Sequence, residues 1–176
     1  MKRPFVASLF ALVALLPIPV LAQSAGSETV EQLKEKIIDK ENAGKLGFRQ
    51  FTLCTKAPTG IGQFEAAPNN KVPAGTKAIY FYYEPINLFT NRADGAYQKW
   101  FKQDMIVRDG SGKELLSKPA ALDFNYKTKT PLFDIFGTNT LTLEGAPPGK
   151  YEFEAVLHDQ LSKQDAHYVY KFEIVP

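Results

Sequence analysis

The chain offers two histidines as metal ligands or general bases, His158 and His167, and both lie near its C-terminal end. Asp159 and Asp165 lie between them, so the imidazoles and carboxylates could bind a metal ion at the surface. With Ser162 the same group has the residue types of a hydrolytic triad, but the surrounding sequence contains no nucleophile turn. A structural zinc site needs about four Cys or His ligands, and the chain has a single Cys. We therefore interpret both histidines as exposed strand residues and keep the metal site as the alternative.

A second candidate set is aromatic and consists of Tyr80, Tyr82 and Trp100. Alternation along residues 77–83 places the two tyrosines on one outward face, and Trp100 falls on the outward side of residues 97–108. Large aromatics on an outward face mark a binding surface, because sugar rings and protein anchors both pack against them. We predict that these three residues bind the ligand. The competing interpretation is that a helix or loop covers them, in which case they form a second core.

The elements that must position the histidines are residues 151–159 and 166–175, which alternate between apolar and polar side chains. This period of two predicts an antiparallel hairpin with one buried face. Because opposed residues must share a face, the numbers of paired residues add up to an odd value. A sum of 325 pairs His158 with His167, and sums of 323 and 327 remain open. The hairpin residues predicted to lie inside are Tyr151, Phe153, Leu157, Tyr170 and Phe172, and Met105 and Val107 of the earlier run 97–108 are predicted to join them. The residues predicted to lie outside are Glu152, Glu154, Lys171 and Glu173.

Most of the chain from residue 46 onward consists of short alternating runs separated by turn residues. Residues 108–113, for example, predict a hairpin turn, because glycine supplies the positive φ that such turns require. A long connection over residues 56–75 follows the first run. Seven or eight short strands with frequent turns predict a mostly β fold, an antiparallel β-sandwich. The predicted strands are 48–55, 77–83, 97–108, 113–117, 123–128, 138–143, 151–159 and 166–175.

One helix is predicted before the strands, over residues 27–44. Thr29 and Gln32 have the spacing of a capping box, and Gly44 is a natural stop. Val30, Leu33 and Ile37 form a narrow apolar stripe, so we expect the helix to pack through this stripe on one edge of the sandwich, with a tether as the alternative. Its charged residues are expected to form a solvated face.

The sequence Pro147-Pro148-Gly149-Lys150-Tyr151 resembles the start of the penultimate strand in bacterial immunoglobulin-like or fibronectin-type domains. The resemblance implies an immunoglobulin-like antiparallel β-sandwich of about seven to eight strands with one short N-terminal helix. It also implies that Tyr151 packs at a corner with its hydroxyl bonded to nearby backbone; the alternative is a plain aromatic core residue.

The order of segments across most of the chain is also similar to that of uncharacterised exported bacterial proteins with this sandwich. Turn chemistry and core residues make up the shared content, so the resemblance implies a fold and transfers no catalytic residue. The segments that match are 51–54, 60–64, 82–87, 107–113 and 148–151.

The N-terminus has the pattern of a secretory signal peptide. Met1-Lys2-Arg3 precedes an apolar run over residues 5–21, which ends in Val20-Leu21-Ala22. This predicts a signal peptide at 1–22, an amphipathic helical segment at 23–45, a sandwich at 46–176, and a periplasmic or secreted protein without an integral membrane segment. The full chain has 21 basic and 19 acidic side chains, so loss of Lys2 and Arg3 leaves them equal, which gives no indication of a nucleic-acid partner.

Cys54 is the single cysteine, so no disulfide can form within the chain. Its neighbours read as a strand, which favours a small buried apolar residue. An intermolecular disulfide and a reactive thiol are the alternatives, although no basic cluster in the nearby sequence would activate the thiol.

These patterns favour a non-catalytic binding or assembly module of the cell envelope that recognises a protein or glycan partner and needs no cofactor. A related hypothesis is an accessory domain whose helix or edge strand docks on a larger complex. The alternative from a different class is a small metal-binding protein or enzyme that uses His158 and His167.

The signal peptide gives the first prediction. The exported protein should begin near Gln23 and be soluble after cell fractionation, because the apolar run is short and no lipid-attachment cysteine follows it. Intact mass spectrometry of the exported protein measures this directly. A membrane-bound species that retains residues 1–22 would contradict it.

Overall fold

The computed structural model describes residues 28–176, and the predicted signal peptide at 1–22 lies outside them. The described chain contains one α-helix, α1, a short 3-10 turn at Pro68–Asn70, and nine β-strands. Their bounds are α1 Val30–Ala43, β1 Gly47–Cys54, β2 Lys71–Pro73, β3 Ala78–Ile86, β4 Asn91–Ala93, β5 Ala96–Asp109, β6 Glu114–Thr128, β7 Gly137–Thr142, β8 Gly149–Asp159 and β9 Asp165–Val175. The predicted mostly β fold is confirmed.

The strands form two sheets of unequal width. The narrow sheet has the order β1-β3-β7, and the wide sheet runs β2-β9-β8-β5 with both β4 and β6 paired to β5. Because β6 occupies one edge of β5, β4 and β8 share the other edge, at its beginning and its end. Neighbouring strands are antiparallel apart from β2, which runs parallel to β9. The short strands β2 and β4 were not predicted from the sequence, and the parallel pair departs from an all-antiparallel sandwich.

The core lies between the two sheets, and its centre is the ring of Phe81 stacked on that of Phe153 with centroids 3.9 Å apart. Phe81 belongs to the narrow sheet and Phe153 to the wide one, so this contact joins them. Of the residues predicted to lie inside, six are buried, namely Tyr151, Phe153, Leu157, Phe172, Met105 and Val107, and Tyr170 is partly buried. The four charged residues predicted to lie outside are half-buried or exposed.

A polar contact crosses the same core. The buried amide of Gln103 in the wide sheet accepts hydrogen bonds on Oε1 from Tyr83 Oη at 3.3 Å and Asn139 Nδ2 at 2.8 Å, both in the narrow sheet. Position 137 must be glycine beneath this network, since a Cβ there would lie 2.1 Å from the Tyr83 ring. Buried polar groups that find partners in only one arrangement fix how the sheets face each other.

The register of the β8–β9 hairpin follows the sum of 323, because Tyr151 pairs with Phe172. Of the three sums left open by the sequence, the structure therefore has 323 and not the 325 that would oppose the histidines, and the cause lies in the turn. The carboxylate of buried Asp159 accepts N–H bonds from Leu161 at 2.8 Å and Ser162 at 3.0 Å. This Asx turn tightens the loop, so that Asp159 bonds Gln164 across the turn and shifts the pairing by two.

Tyr151 makes the backbone contact that the family resemblance implies. Its hydroxyl donates a hydrogen bond to the carbonyl oxygen of Pro147 at 2.7 Å, and its ring is buried against Phe172 with centroids 5.5 Å apart. The bond ties the loop before β8 to the start of that strand.

The capping box of α1 is confirmed. Gln32 donates its N–H to Thr29 Oγ1 at 3.2 Å and accepts the Thr29 N–H on Oε1 at 2.9 Å. The predicted packing of the apolar stripe is wrong, however. Val30, Leu33 and Ile37 are 61%, 45% and 46% exposed, and the buried apolar residue of the helix is Ile38.

Charged residues dock the helix on the wide sheet instead, so they are not simply a solvated face. Arg92 donates to Glu35 at 2.8 Å and to Asp39 at 2.7 Å. The ammonium of buried Lys99 lies 3.0 Å from Glu41. Lys99 lies on β5 with its side chain buried, so its ammonium needs a carboxylate partner, which the helix supplies.

The two faces of the hairpin can be separated by mutation. Phe153→Ala should lower the free energy of unfolding by about 3–5 kcal/mol, because it removes a fully buried ring from the centre of the core. Lys171→Ala should change it by no more than about 0.5 kcal/mol, because that side chain is 78% exposed. Denaturant unfolding checks both values, and equal effects would contradict the assigned faces.

Candidate functional site

The predicted aromatic surface does not form, and the first reason is that Tyr82 is buried. The ring of Phe64 stacks on it at 4.5 Å between centroids, and the N–H of Gly62 donates to its hydroxyl at 2.8 Å. Its hydroxyl also donates to Glu84, which Arg49 holds with its Nε at 2.7 Å. The connection over residues 56–75 therefore covers this face as a second core, the competing interpretation of the sequence.

The second reason is topological. Tyr80 lies on β3 in the narrow sheet, whereas Trp100 lies on β5 in the wide sheet, so the three aromatics cannot share one surface. Both residues are half-buried. The indole N–H of Trp100 donates to Asp123 Oδ1 on β6 at 3.0 Å. Trp100 thus contacts β6 and does not form with the two tyrosines the surface that the sequence had predicted.

The two histidines are also separated. His158 pairs with Asp165, and His167 pairs with Val156, so the imidazoles are not opposite each other. Among residues 28–176, no group of three His, Cys, Asp or Glu side chains converges as a metal-ligand set. Only the sum of 325 would have placed His158 opposite His167, and the hairpin has the sum of 323.

His158 instead bridges two carboxylates. Its Nδ1 lies 2.8 Å from Asp165 Oδ1, and its Nε2 lies 3.1 Å from Asp104 Oδ2. Partial burial is the largest influence on its pKa and lowers it, but the hydrogen bonds to Asp165 and Asp104 outweigh burial, so the pKa lies above its ordinary value. The protonated ring can donate to both acids at once, which the neutral ring cannot do.

Asp104 links this histidine to an irregularity in β6. Its second oxygen, Oδ1, accepts the backbone N–H of Ala120 at 2.7 Å, and Ala120 has a φ of 47°. The pairing of β5 with β6 shifts register at this point, between Gln103 and Met105. The predicted strands 113–117 and 123–128 are therefore one long strand with a bulge held by Asp104.

The most exposed strand of the molecule is β6. Residues 111–120 are all exposed, and no residue of β6 is buried. In the part of the chain that the structure describes, β6 pairs with β5 and with no other strand, so its outer edge is unpaired. The sequence signal was the adjacent pair Leu115 and Leu116, 50% and 38% exposed, which breaks the alternation and leaves apolar side chains on both faces.

The orientation of the edge groups follows from β5. Gln160 donates its N–H to the carbonyl of Trp100 at 2.8 Å, so the backbone groups of Trp100 point away from β6. Backbone groups alternate along a strand, so those of Phe101 and Gln103 point toward β6 and bond Phe124 and Leu122. The residues between the bonded ones turn their N–H and C=O groups to the free edge; they are Asp123, Asn125 and Lys127.

The inner face of the same half of β6 is apolar and only partly covered. Phe124 packs on Phe101 with ring centroids 5.3 Å apart and is half-buried. Tyr126 is 48% exposed and lies 5.9 Å from the Phe124 ring. Free backbone groups can form hydrogen bonds with an added strand, and the two adjacent rings offer an apolar surface to its alternate side chains.

Cys54 is fully buried and unpaired, which confirms the interpretation as a buried residue. Burial raises the pKa of its thiol to about 11. The thiol therefore stays protonated near neutral pH, and the reactive-thiol alternative loses its chemical basis.

No protein-family model matches the chain, and no curated protein matches it. Among solved structures it is similar to one described as "X-ray structure of Northeast Structural Genomics Consortium target SoR45", with 12% sequence identity and a TM-score of 0.32. The match covers 76% of this chain and 84% of that chain. Within residues 28–176, no helix has the length and apolar character needed to cross a membrane.

The His158 bridge gives a pH prediction. Folding raises the pKa of His158, so the stabilisation that the protonated imidazole gives the folded protein should be full below the ordinary value of 6.5. It should disappear as the pH rises through the folded-state pKa. His158→Gln should therefore destabilise the protein more at about pH 5.5 than at about pH 8.5. Denaturant unfolding of both proteins at both pH values measures the difference.

His167→Gln is the matched control, since His167 has one carboxylate partner, Glu154 at 3.1 Å, and is 61% exposed. A loss of stability for His158→Gln that is the same at both pH values would contradict the doubly bonded imidazolium.

Proposed function

We propose that this chain is a non-catalytic binding or assembly module of the cell envelope that recognises a protein partner by strand addition to β6. The observation that carries the proposal is the free edge of β6, with three residues whose backbone groups point to solvent beside two partly exposed aromatic rings. An extended peptide could bond these groups as a further strand of the wide sheet.

A protein partner fits this surface better than a glycan does. Strand addition uses main-chain donors and acceptors, which a peptide has in the required spacing and a sugar does not. The aromatic residues expected to stack on a sugar are buried, as Tyr82 is, or divided between the sheets, as Tyr80 and Trp100 are. Trp100 belongs to the proposed surface through its contact with Asp123 beside the edge.

The immunoglobulin-like sandwich and the envelope location are parts of the same proposal. The corner formed by Tyr151 and Pro147 at the start of the penultimate strand supports the fold. The apolar run before Ala22 supports export.

Asn125→Pro tests the edge. The N–H that it removes points to solvent, so the bonds between β6 and β5 remain and unfolding should stay cooperative. Partner binding should be lost, because proline removes the central donor of the free edge. Site-specific photo-crosslinking in exporting cells measures binding, with the photoreactive residue placed at Tyr126.

Asn125→Ala is the matched control, since it also loses the bond from Gln98 to the Asn125 side chain but keeps the N–H. The same photoreactive residue at Tyr168, which is 38% exposed on β9, controls for random collisions. Crosslinks that persist in Asn125→Pro, or that are equally strong from position 168, would overturn the proposal.

A further inference from the structure

The free edge of β6 is complementary to itself. We propose that a second copy of this chain binds there, antiparallel, over residues 122–128, with Asn125 of each copy opposite Asn125 of the other. The inference rests on the proposed function and names its partner. The result is a two-fold symmetric dimer in which the two wide sheets continue into each other.

Backbone geometry restricts the pairing. In an antiparallel pair, residues that exchange both hydrogen bonds must each point their N–H and C=O groups toward the partner strand. On this edge the residues that do so are Asp123, Asn125 and Lys127, because their neighbours along β6 bond to β5. Centring the pair on Asn125 opposes Asp123 to Lys127 twice, so that three residue pairs form about six backbone hydrogen bonds.

The charges favour this register. In each of the two outer pairs, a carboxylate from one copy faces an ammonium group from the other, on the same face of the sheet. Asp123 already accepts from Trp100 at 3.0 Å and lies 3.4 Å from Lys102, which orients it without using all its acceptor positions. Its side chain is 49% exposed, so it can be reached from the edge.

The apolar face favours the same register. With Asn125 opposite itself, Phe124 of each copy lies opposite Tyr126 of the other. Four rings then cover one another across the junction on the side where Tyr126 is 48% exposed. A register shifted by two would oppose Phe124 to Phe124 and would place Asp123 opposite Asn125, which loses both ion pairs.

The bulge sets the extent of the interface. Pro119 has no N–H, and Ala120 directs its own N–H to Asp104 at 2.7 Å, so regular pairing ends before this point. The surface buried by a contact of seven residues from each copy is smaller than the roughly 1,000 Å² of a stable interface. The dimer should therefore dissociate on dilution.

Sedimentation velocity on the purified exported protein, from about 1 μM to about 1 mM, tests the proposal. The mass should rise toward that of a dimer with increasing concentration. Lys127→Asp and Asp123→Lys should each shift the midpoint of association to at least about tenfold higher concentration, because like charges then face each other. The double variant Asp123→Lys/Lys127→Asp should restore it.

Mixing the two single variants is the sharpest arm. Lys127→Asp has carboxylates at both positions 123 and 127, and Asp123→Lys has ammonium groups at both. The mixture should therefore form a heterodimer at concentrations where neither variant associates alone. Lys129→Asp, which makes the same charge change just beyond β6, should leave the association unchanged. Unfolding midpoints of all variants confirm that they are folded.

A protein that stays monomeric at about 1 mM, or a dimer indifferent to both single variants, overturns the pairing. The proposed function fails separately, when crosslinks from Tyr126 persist in Asn125→Pro. The protein could instead stay monomeric, crosslink from position 126 to a different protein, and lose those crosslinks in Asn125→Pro. That result refutes the dimer and supports the strand-addition module.

Discussion

The stacking of Phe81 on Phe153 is the contact on which the other features depend, because it fixes which strands face each other. It centres the narrow sheet over β8, and the buried residues of the wide sheet accordingly lie on β5, β8 and β9 with Val72 of β2. A sheet of three strands cannot reach the far side of β5. The exposure of β6 is thus a consequence of unequal sheet width, and its free edge follows from the same geometry.

Charged groups position the helix near the beginning of β5. Lys99 points into the molecule from β5, and its ammonium lies 3.0 Å from both Glu41 of the helix and the carbonyl of Leu88. Breaking such a buried pair is costly because it leaves one charge without a partner, although forming it stabilises little. The contact therefore specifies where the helix docks more than how firmly it does so.

Local pattern in the sequence predicted the elements, whereas their arrangement depended on contacts between distant residues. The β8–β9 hairpin, the cap at Thr29 and the buried face of Phe153 follow from spacing alone. The partition of β3 and β5 into different sheets does not, since adjacency in sequence predicts neighbours in space. The register also depended on a single side chain, that of Asp159, whose bonds to the turn outweigh the pattern of the strands.

For the candidate site, what failed was the assumption that outward-facing means exposed. Tyr82 does face outward from its sheet, but the loop that carries Phe64 folds back over it. The sequence predicted β6 as two short strands. Both segments pair with β5, and the bond from Ala120 to Asp104 marks the bulge that joins them. A bulge of this kind makes one strand look like two in the hydrophobic pattern, because its extra residues interrupt the period of two.

The single thiol of the chain makes it possible to observe motion without labelling by mutation. Cys54 is fully buried at the end of β1, where Ala66 of the long connection pairs with it. A thiol reagent reaches it only when that connection or the end of the strand opens, so the modification rate reports the population of that opened state. Comparing this rate with global unfolding would show whether the cover over Tyr82 detaches by itself, as a hinged flap does, or only when the whole domain melts.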